Sequence, residues 1–500
     1  MSRMRSTTPL AAAAVALGAV VAGSLAGTPA GAATAPARPV VSAVSTAVAV
    51  PSDLQVVRTT HSLLGTHTWY QQTLDGHPVV GGWYVVHQAL DGTTTAEDGR
   101  IAADLVALPD AGDQQSEIGA GTAVSAVTAR PSAPSYVEAS SQGLWVLPAE
   151  GDRTAQLVYS VLTVNGHGST RHYVDATSAQ VLATDKISQH AAKPRRKGQA
   201  RVFDPNPVVL LQDEGLKDQK DSNAAVPSSA YRAVTIRHLH QNTLIGKWVE
   251  IINKDRPVRT DGDFRYSRAN NRFEMVNAYY AVEKVQHYLR TLGFTDANAE
   301  RQQVKTDAFA VDNSFYEPGS DRILFGEGGV DDAEDLEVVW HEYGHAVQDA
   351  QVPGFGSHEQ AGAIGEGFGD YLAVTMSQGL SPDTATTPWA CVMDWDATSY
   401  TSSTPHCLRR VDGTKMFPDD MDGEVHDDGE IWSRALWDIS QAVGRTQATT
   451  LIIEAQFSFT PGISFRVAAQ TTVDTARALY GDTVAGEVQT AFVDRGILAP

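Results

Sequence analysis

The chain of 500 residues has two cysteines and, beyond its N-terminal segment, no run long and apolar enough to span a bilayer. Lys and Arg number 38 against 59 Asp and Glu, a net charge of −21. That balance excludes the basic patches that nucleic acid or an anionic membrane surface requires, so neither is expected as a partner. Two cysteines alone do not build a thiolate zinc site. In an oxidising compartment Cys391 and Cys407 can instead close one short loop, worth roughly 3 kcal/mol by loop entropy. The compartment is read from the other end of the chain. Arg3 and Arg5 precede an Ala/Val/Leu/Gly run from Leu10 to Leu25, and Ala30-Gly31-Ala32 offers a cleavage site. The run is too rich in small residues for a membrane span, and no stop-transfer pattern follows. The arginines are not paired and no cysteine lies near the cleavage site, so a Sec-type export signal over 1–32 is expected, without a lipid anchor.

His341-Glu342-Tyr343-Gly344-His345 is an HExxH segment, with Glu366 and Asp370 downstream. On a helix, residues four apart share a face, so His341 and His345 can both point at one metal ion. Glu366 follows His345 after enough chain for one loop and the start of a second helix, and can supply a third bond. Glu342, one step round the helix, can reach a water held by the metal. Asp370, one turn beyond Glu366, can accept the free N–H of a liganding histidine. The bland alternative is a pair of surface histidines on an amphipathic helix. The apolar run Leu336-Glu337-Val338-Val339-Trp340 argues against it, because it predicts a buried helix, where histidines need partners.

With these residues the chain resembles the thermolysin–fungalysin metallopeptidases. Asp312-Asn313-Ser314-Phe315-Tyr316 resembles their substrate-binding edge segment, and Glu424-Val425-His426-Asp427-Asp428-Gly429-Glu430-Ile431-Trp432 the segment with their transition-state histidine. Ser62 to Tyr70 and Gly76 to Gly82 resemble their propeptide. The resemblance implies one zinc per chain on His341, His345 and Glu366, Glu342 as general base, and His426 as donor to the developing oxyanion. It implies that Asn313 binds the backbone of an extended peptide and that Arg409 pairs with Asp370 and reaches the substrate carbonyl, with Arg410 as the alternative. Val338 and Leu408 are candidates for an apolar pocket receiving the side chain after the scissile bond. There are departures. No tyrosine stands between His345 and Glu366 to assist the oxyanion; Gly356 falls near its place. Ser377 stands where a calcium-binding carboxylate is expected, so a calcium requirement is left open. The run Asp331-Asp332-Ala333-Glu334-Asp335 has the composition of a calcium ligand set but reads as a solvated helix start.

The expected fold is α+β: a thermolysin-like catalytic domain with a β-rich N-terminal lobe, an α-helical C-terminal lobe and the HExxH helix between them. A β-rich propeptide precedes it. The expected division is a signal peptide (1–32), a propeptide (33–197, with parts at about 50–110 and 130–187) and a catalytic domain (198–500). Residues 33–50 read as a flexible leader. Alternation over Thr66 to Thr73 and Val79 to His87 about Asp75-Gly76 predicts a hairpin; Ala155 to Val164 and Arg171 to Val174 predict another, with Gln180 to Thr184 beside it. The alternative, a permanent accessory domain, carries no processing. The basic linker Lys193-Pro194-Arg195-Arg196-Lys197-Gly198 suits proteolytic nicking, which predicts maturation near 190–200 and a mature start at Gln199 or Ala200. Val208 to Leu211, Trp248 to Ile252 and Thr306 to Val311 read as strands, and Glu274 to Leu292 as a helix. Gly429 to Val443 reads as a helix capped by Asp427 or Asp428, and Leu451 to Phe457, Ser464 to Tyr480 and Thr483 to Arg495 as further helices. The expectation is a secreted, monomeric zinc endopeptidase made as a zymogen, its own propeptide serving as inhibitor and folding aid, and protein or peptide as substrate. Two readings compete: a silent peptide-binding or inhibitory protein on the same fold, disfavoured by the intact HExxH, and a metalloenzyme for small amides or esters, disfavoured by the Asn313 segment.

Overall fold

The computed structural model describes residues 53–102, 118–129, 138–148, 155–165, 168–185, 197–240 and 242–500. The expected signal segment, the flexible leader and linker residues 193–196 lie outside them. The N-terminal part is β-rich. Gly65–Leu74 and His77–Ala89 pair antiparallel through the expected turn at Asp75 and Gly76, both at positive φ. Such a turn matches the right-handed twist of the strands it joins. Glu138–Leu147, Gln156–Asn165, Gly168–Asp175 and Val181–Asp185 form a second antiparallel set. A parallel bridge from Val79 to Val146 joins the two sets into one eight-stranded sheet.

From Gly198 the sheets are smaller. Gly198–Val202 lies between Arg232–Ile236 and Asp263–Phe264, so the expected mature start falls at the head of a central strand. Val249–Ile251, Gln302–Lys305 and Arg322–Phe325 run parallel, and Ser314–Glu317 closes this four-stranded sheet as an antiparallel edge. The Arg272–Thr291 helix buries Met275, Val276, Tyr279, Val282 and Val285 completely. The rest is mainly helical: Leu336–Gln351, Glu359–Ser377, Val425–Val443, Arg445–Gln456, Phe465–Tyr480 and Asp482–Asp494. The architecture is α+β, β-rich first and helical last, as expected. Cys391 and Cys407 form the expected disulfide. Among the described residues no helix is long and apolar enough to cross a membrane.

One core cluster runs from Phe264 and Val282 through Trp340 and Tyr343 to Ile431 and Phe492. The HExxH helix is therefore embedded between sheet and helices. Burying each large apolar side chain there contributes about 1.5–3 kcal/mol. Two glycines set its depth. A Cβ on Gly344 would meet the Cα of Gly369 at 3.1 Å, and a Cβ on Gly369 would meet His341 Nδ1 at 2.6 Å. Without these small residues the two helices could not approach closely enough for His341 and Glu366 to meet.

Four local expectations are corrected. Val208 to Leu211 is the helix Pro207–Leu211, because Asn206 caps it through Val209 N (3.0 Å) and proline suits its first position. Thr306 to Val311 is loop: the strand stops at Lys305, where Asn253 accepts the Thr306 N–H (3.1 Å) and Asp307 turns to φ +47°. The Val425–Val443 helix is capped by Glu424, not by Asp427 or Asp428; Asp428 is turned inward, where it accepts the Asp422 amide at 2.9 Å. The Asp331 to Asp335 run is buried rather than solvated. Asp335 caps the HExxH helix through Glu337 N (2.9 Å) and accepts from Asn206, and Glu334 holds the buried Arg268.

Candidate metal centre and substrate cleft

The helical spacing that makes HExxH a motif brings His341 and His345 to one side of the Leu336–Gln351 helix, with Glu366 opposite on Glu359–Ser377. Nε2 of His341 is 3.1 Å from Glu366 Oε2, and Nε2 of His345 is 3.5 Å from Glu366 Oε1. The three ligand atoms lie within 4.8 Å of one another. Two imidazoles and one carboxylate are a donor set suited to zinc with a position left over. Nδ1 of His341 is 2.8 Å from Asp370 Oδ1, which fixes the ring so that Nε2 faces Glu366. Asp370 is clamped in turn by Arg409, through Nε to Oδ2 and Nη2 to Oδ1, both at 2.7 Å. Arg410 pairs with Asp412 instead, so of the two arginines it is Arg409 that meets Asp370.

The electrostatics favour positive charge between these side chains. Burial opposes charge on His341, but hydrogen bonds to Asp370 and Glu366 outweigh it and raise its pKa to about 10. Burial, together with the charge on His341, lowers His345 to about 4, even though Glu366 pulls the other way. Burial likewise opposes ionisation of Glu366, yet His345 and His341 hold it well below the carboxylate range. Asp370, buried but paired with Arg409, falls to about 2. A metal cation would take the place of the proton these carboxylates stabilise.

Glu342 is buried, and one of its oxygens accepts the Tyr316 N–H at 2.8 Å. Burial, then the negative charge of Glu366, raises its pKa to about 7. His426 stands across the site, half exposed, with Nε2 3.4 Å from Glu366 Oε2 and Nδ1 2.6 Å from Glu424 Oε1. Sequence reasoning does not assign Glu424 this contact; its place two residues before His426 is the available signal. The side chain that caps the helix also orients the histidine on its first turn.

A cavity of about 670 Å³ opens over this centre. His341, Glu342, His345, Glu366 and His426 line it, with Asn313 and Phe315 on one wall and Phe355 and Gly356 on another. Asn313 is exposed beside the edge strand Ser314–Glu317. Val338 is buried one turn before His341 and Leu408 packs against the main core, but neither lines this cavity. Two lining residues carry no signal in the sequence: Thr170 and Thr184, from the N-terminal β-rich sheet. Arg322, beside the edge strand, pairs with Glu138 of the same sheet at 2.5 Å. A second cavity, about 740 Å³ beside Trp248, Tyr288 and Arg445, contains none of the predicted site residues.

Comparison with known proteins matches two segments of the chain. Residues 52–101 match the Fungalysin/Thermolysin Propeptide Motif, and residues 328–497 match the Fungalysin metallopeptidase (M36) family. A gelatinase of Enterococcus faecalis is 26% identical over 236 residues, covering 45% of this chain and 45% of its own. The chain thus spans less than half the length of that curated relative. Among solved structures, a precursor of protealysin from Serratia proteamaculans aligns at TM-score 0.40 and 18% identity, over 52% of this chain and 91% of its own. The Bacillus megaterium YpeB C-terminal domain aligns at TM-score 0.19 and 11% identity, over 27% of this chain and 56% of its own. The propeptide-motif match thus precedes the metallopeptidase match along the chain.

Proposed function

We propose that this chain is the precursor of a secreted zinc endopeptidase, kept inactive by its own propeptide. The observation that carries the reading is the convergence of His341, His345 and Glu366 on one point, with Glu342 and His426 lining the same cavity. Zinc held by these three residues would supply Lewis acidity toward water and toward the scissile carbonyl. The chain's own residues do the rest. Glu342 takes a proton from the attacking water and passes it to the leaving amine. His426 donates Nδ1–H to Glu424 and, when doubly protonated, Nε2–H to the oxyanion. Asn313 and the edge strand Ser314–Glu317 hold the substrate backbone in extended form. Arg409, anchored on Asp370, reaches toward the substrate carbonyl.

The zymogen reading is supported by Thr170 and Thr184, which line the cleft where substrate must lie. Processing in the linker near 190–200 would free the sheet that carries them. It would leave Gly198–Val202, a strand paired on both edges, at the start of the mature chain. The test is digestion of casein by processed wild type, by Glu342→Gln, and by chelator-treated wild type before and after zinc is restored. Cutting by wild type and by the zinc-restored sample alone supports the reading. Processed, metal-loaded wild type that is inert on casein and on a diverse peptide library sinks it in favour of a peptide-binding protein.

A further inference from the structure

The turn leading into the HExxH helix carries charge that peptide hydrolysis does not use. Asp331 stands at the head of the Asp332–Glu334 turn, its side chain making no capping bond. There it meets Asp307, from the loop after Gln302–Lys305, and Glu274, from the first turn of Arg272–Thr291. One oxygen of each lies within 4.8 Å of the others. Glu274 is 0% exposed, and neither of its carboxylate oxygens has a hydrogen-bond partner. Asp307 Oδ1 has none either, while its Oδ2 accepts from Asn271 at 3.1 Å. Arg268, the buried cation of this region, is engaged by Glu334 and Asp218 instead. Burial, then the charge of Glu334, pushes Glu274 well above the carboxylate range, and burial, then the charge of Asp221, pushes Asp331 to about 9. Burial alone comes first for Asp307, at about 6.

A buried carboxylate without donors needs compensation. Glu274 is one, and Asp307 and Asp331 converge on it from segments far apart in sequence; all the offered atoms are hard oxygens, the ligand type that suits calcium rather than zinc. We propose that Glu274, Asp307 and Asp331 form a calcium-type divalent-cation site, separate from the His341–His345–Glu366 centre. It is also distinct from the region of Ser377. An ion there ties the long Arg272–Thr291 helix to the loop that feeds the Asn313 edge and to the turn that starts the HExxH helix. Its role is to hold the two sides of the cleft together.

The full-length Glu342→Gln chain, which cannot digest itself, is stripped of metal, reloaded with zinc and dialysed against calcium. Metal content is then measured by mass spectrometry, and melting by calorimetry. Glu274→Gln in this background should lose one calcium per chain and keep its zinc. Saturating calcium should raise the parent's Tm by about 5 °C and raise that of Glu274→Gln by less. Without calcium, Glu274→Gln should melt no lower than its parent, because burial already holds the Glu274 carboxyl short of ionisation and it has no partner to lose; a purely structural glutamate would lower the Tm on substitution. Equal calcium content in parent and variant overturns the proposal, as does a parent that binds none. If Glu274→Gln does not fold, Asp307→Asn, at a half-buried position, replaces it under the same criteria. Metal content is read without turnover, so this test stands or falls independently of the peptidase reading.

Discussion

Nδ1 of His67 lies 2.6 Å from Nδ1 of His87 on the neighbouring strand, and the His67 ring stacks on Phe457 with centroids 5.4 Å apart. The pair belongs to the N-terminal β-rich sheet; Phe457 follows the Arg445–Gln456 helix. Burial, then His87, holds His67 neutral, with its pKa lowered to about 3; burial also lowers His87. The folded pKa lies below the unfolded value of 6.5, so the unfolded chain takes up the proton first. Stability is full above pH 6.5 and is lost as pH falls toward about 3.

Acid should therefore loosen this contact. Between pH 6.5 and 5 His67 alone is expected to cost roughly 2 kcal/mol. Melting of the full-length Glu342→Gln chain at pH 8 and pH 5 checks this, with His67→Leu as the comparison. If His67→Leu loses as much stability across that range as its parent, the histidine is not the acid-sensitive element.

Glu454 should also matter for docking. It accepts the backbone N–H groups of Leu63 (2.8 Å) and Leu64 (2.9 Å) from the same β-rich part. Glu454→Ala leaves those amides without their acceptor, at a cost of about 1–3 kcal/mol. Limited proteolysis of the full-length Glu342→Gln chain should then cut the β-rich region several-fold faster. An unchanged rate would mean that the amides find water instead.

Asp370→Asn should weaken the metal centre without touching a ligand. It replaces the carboxylate that orients His341 and pairs with Arg409. Loss of such a partner typically costs 10–100-fold in metal affinity or activity. Competition for zinc against a chromophoric chelator measures it directly, and affinity equal to wild type would show that Glu366 and the helix orient His341 unaided.

Glu424→Gln should lower kcat while leaving KM nearly unchanged, because Glu424 acts through the His426 ring. His426→Ala should cost about 10²–10³-fold in kcat. The double variant should be no slower than His426→Ala alone, since residues acting as a unit are not additive. Additive losses in a kinetic cycle would assign Glu424 a separate role as helix cap only.

Much of the centre is legible in the sequence, because its signals are local. The HExxH spacing, the Asp75-Gly76 turn and the long buried helices rest on backbone geometry that neighbouring residues set for themselves. Local patterns mislead where a distant side chain intervenes. Asn206 converts an apolar run into a helix, Asn253 ends a strand early, and an acidic run that reads as solvated sits in the interior. Composition alone cannot reveal such partners.

The sequence by itself determined that His341 and His345 share a face, that Glu342 stands beside them, and that a β-rich segment precedes a helical one. Only the tertiary structure decided that Arg409 rather than Arg410 meets Asp370, that Glu424 orients His426, that Thr170 and Thr184 line the cleft, and that Glu274, buried without a donor, meets Asp307 and Asp331. The physical reason is range. Helical and strand periodicity follow from the chain's own dihedral angles, whereas the choice of partner follows from close packing, which brings together residues the sequence keeps far apart.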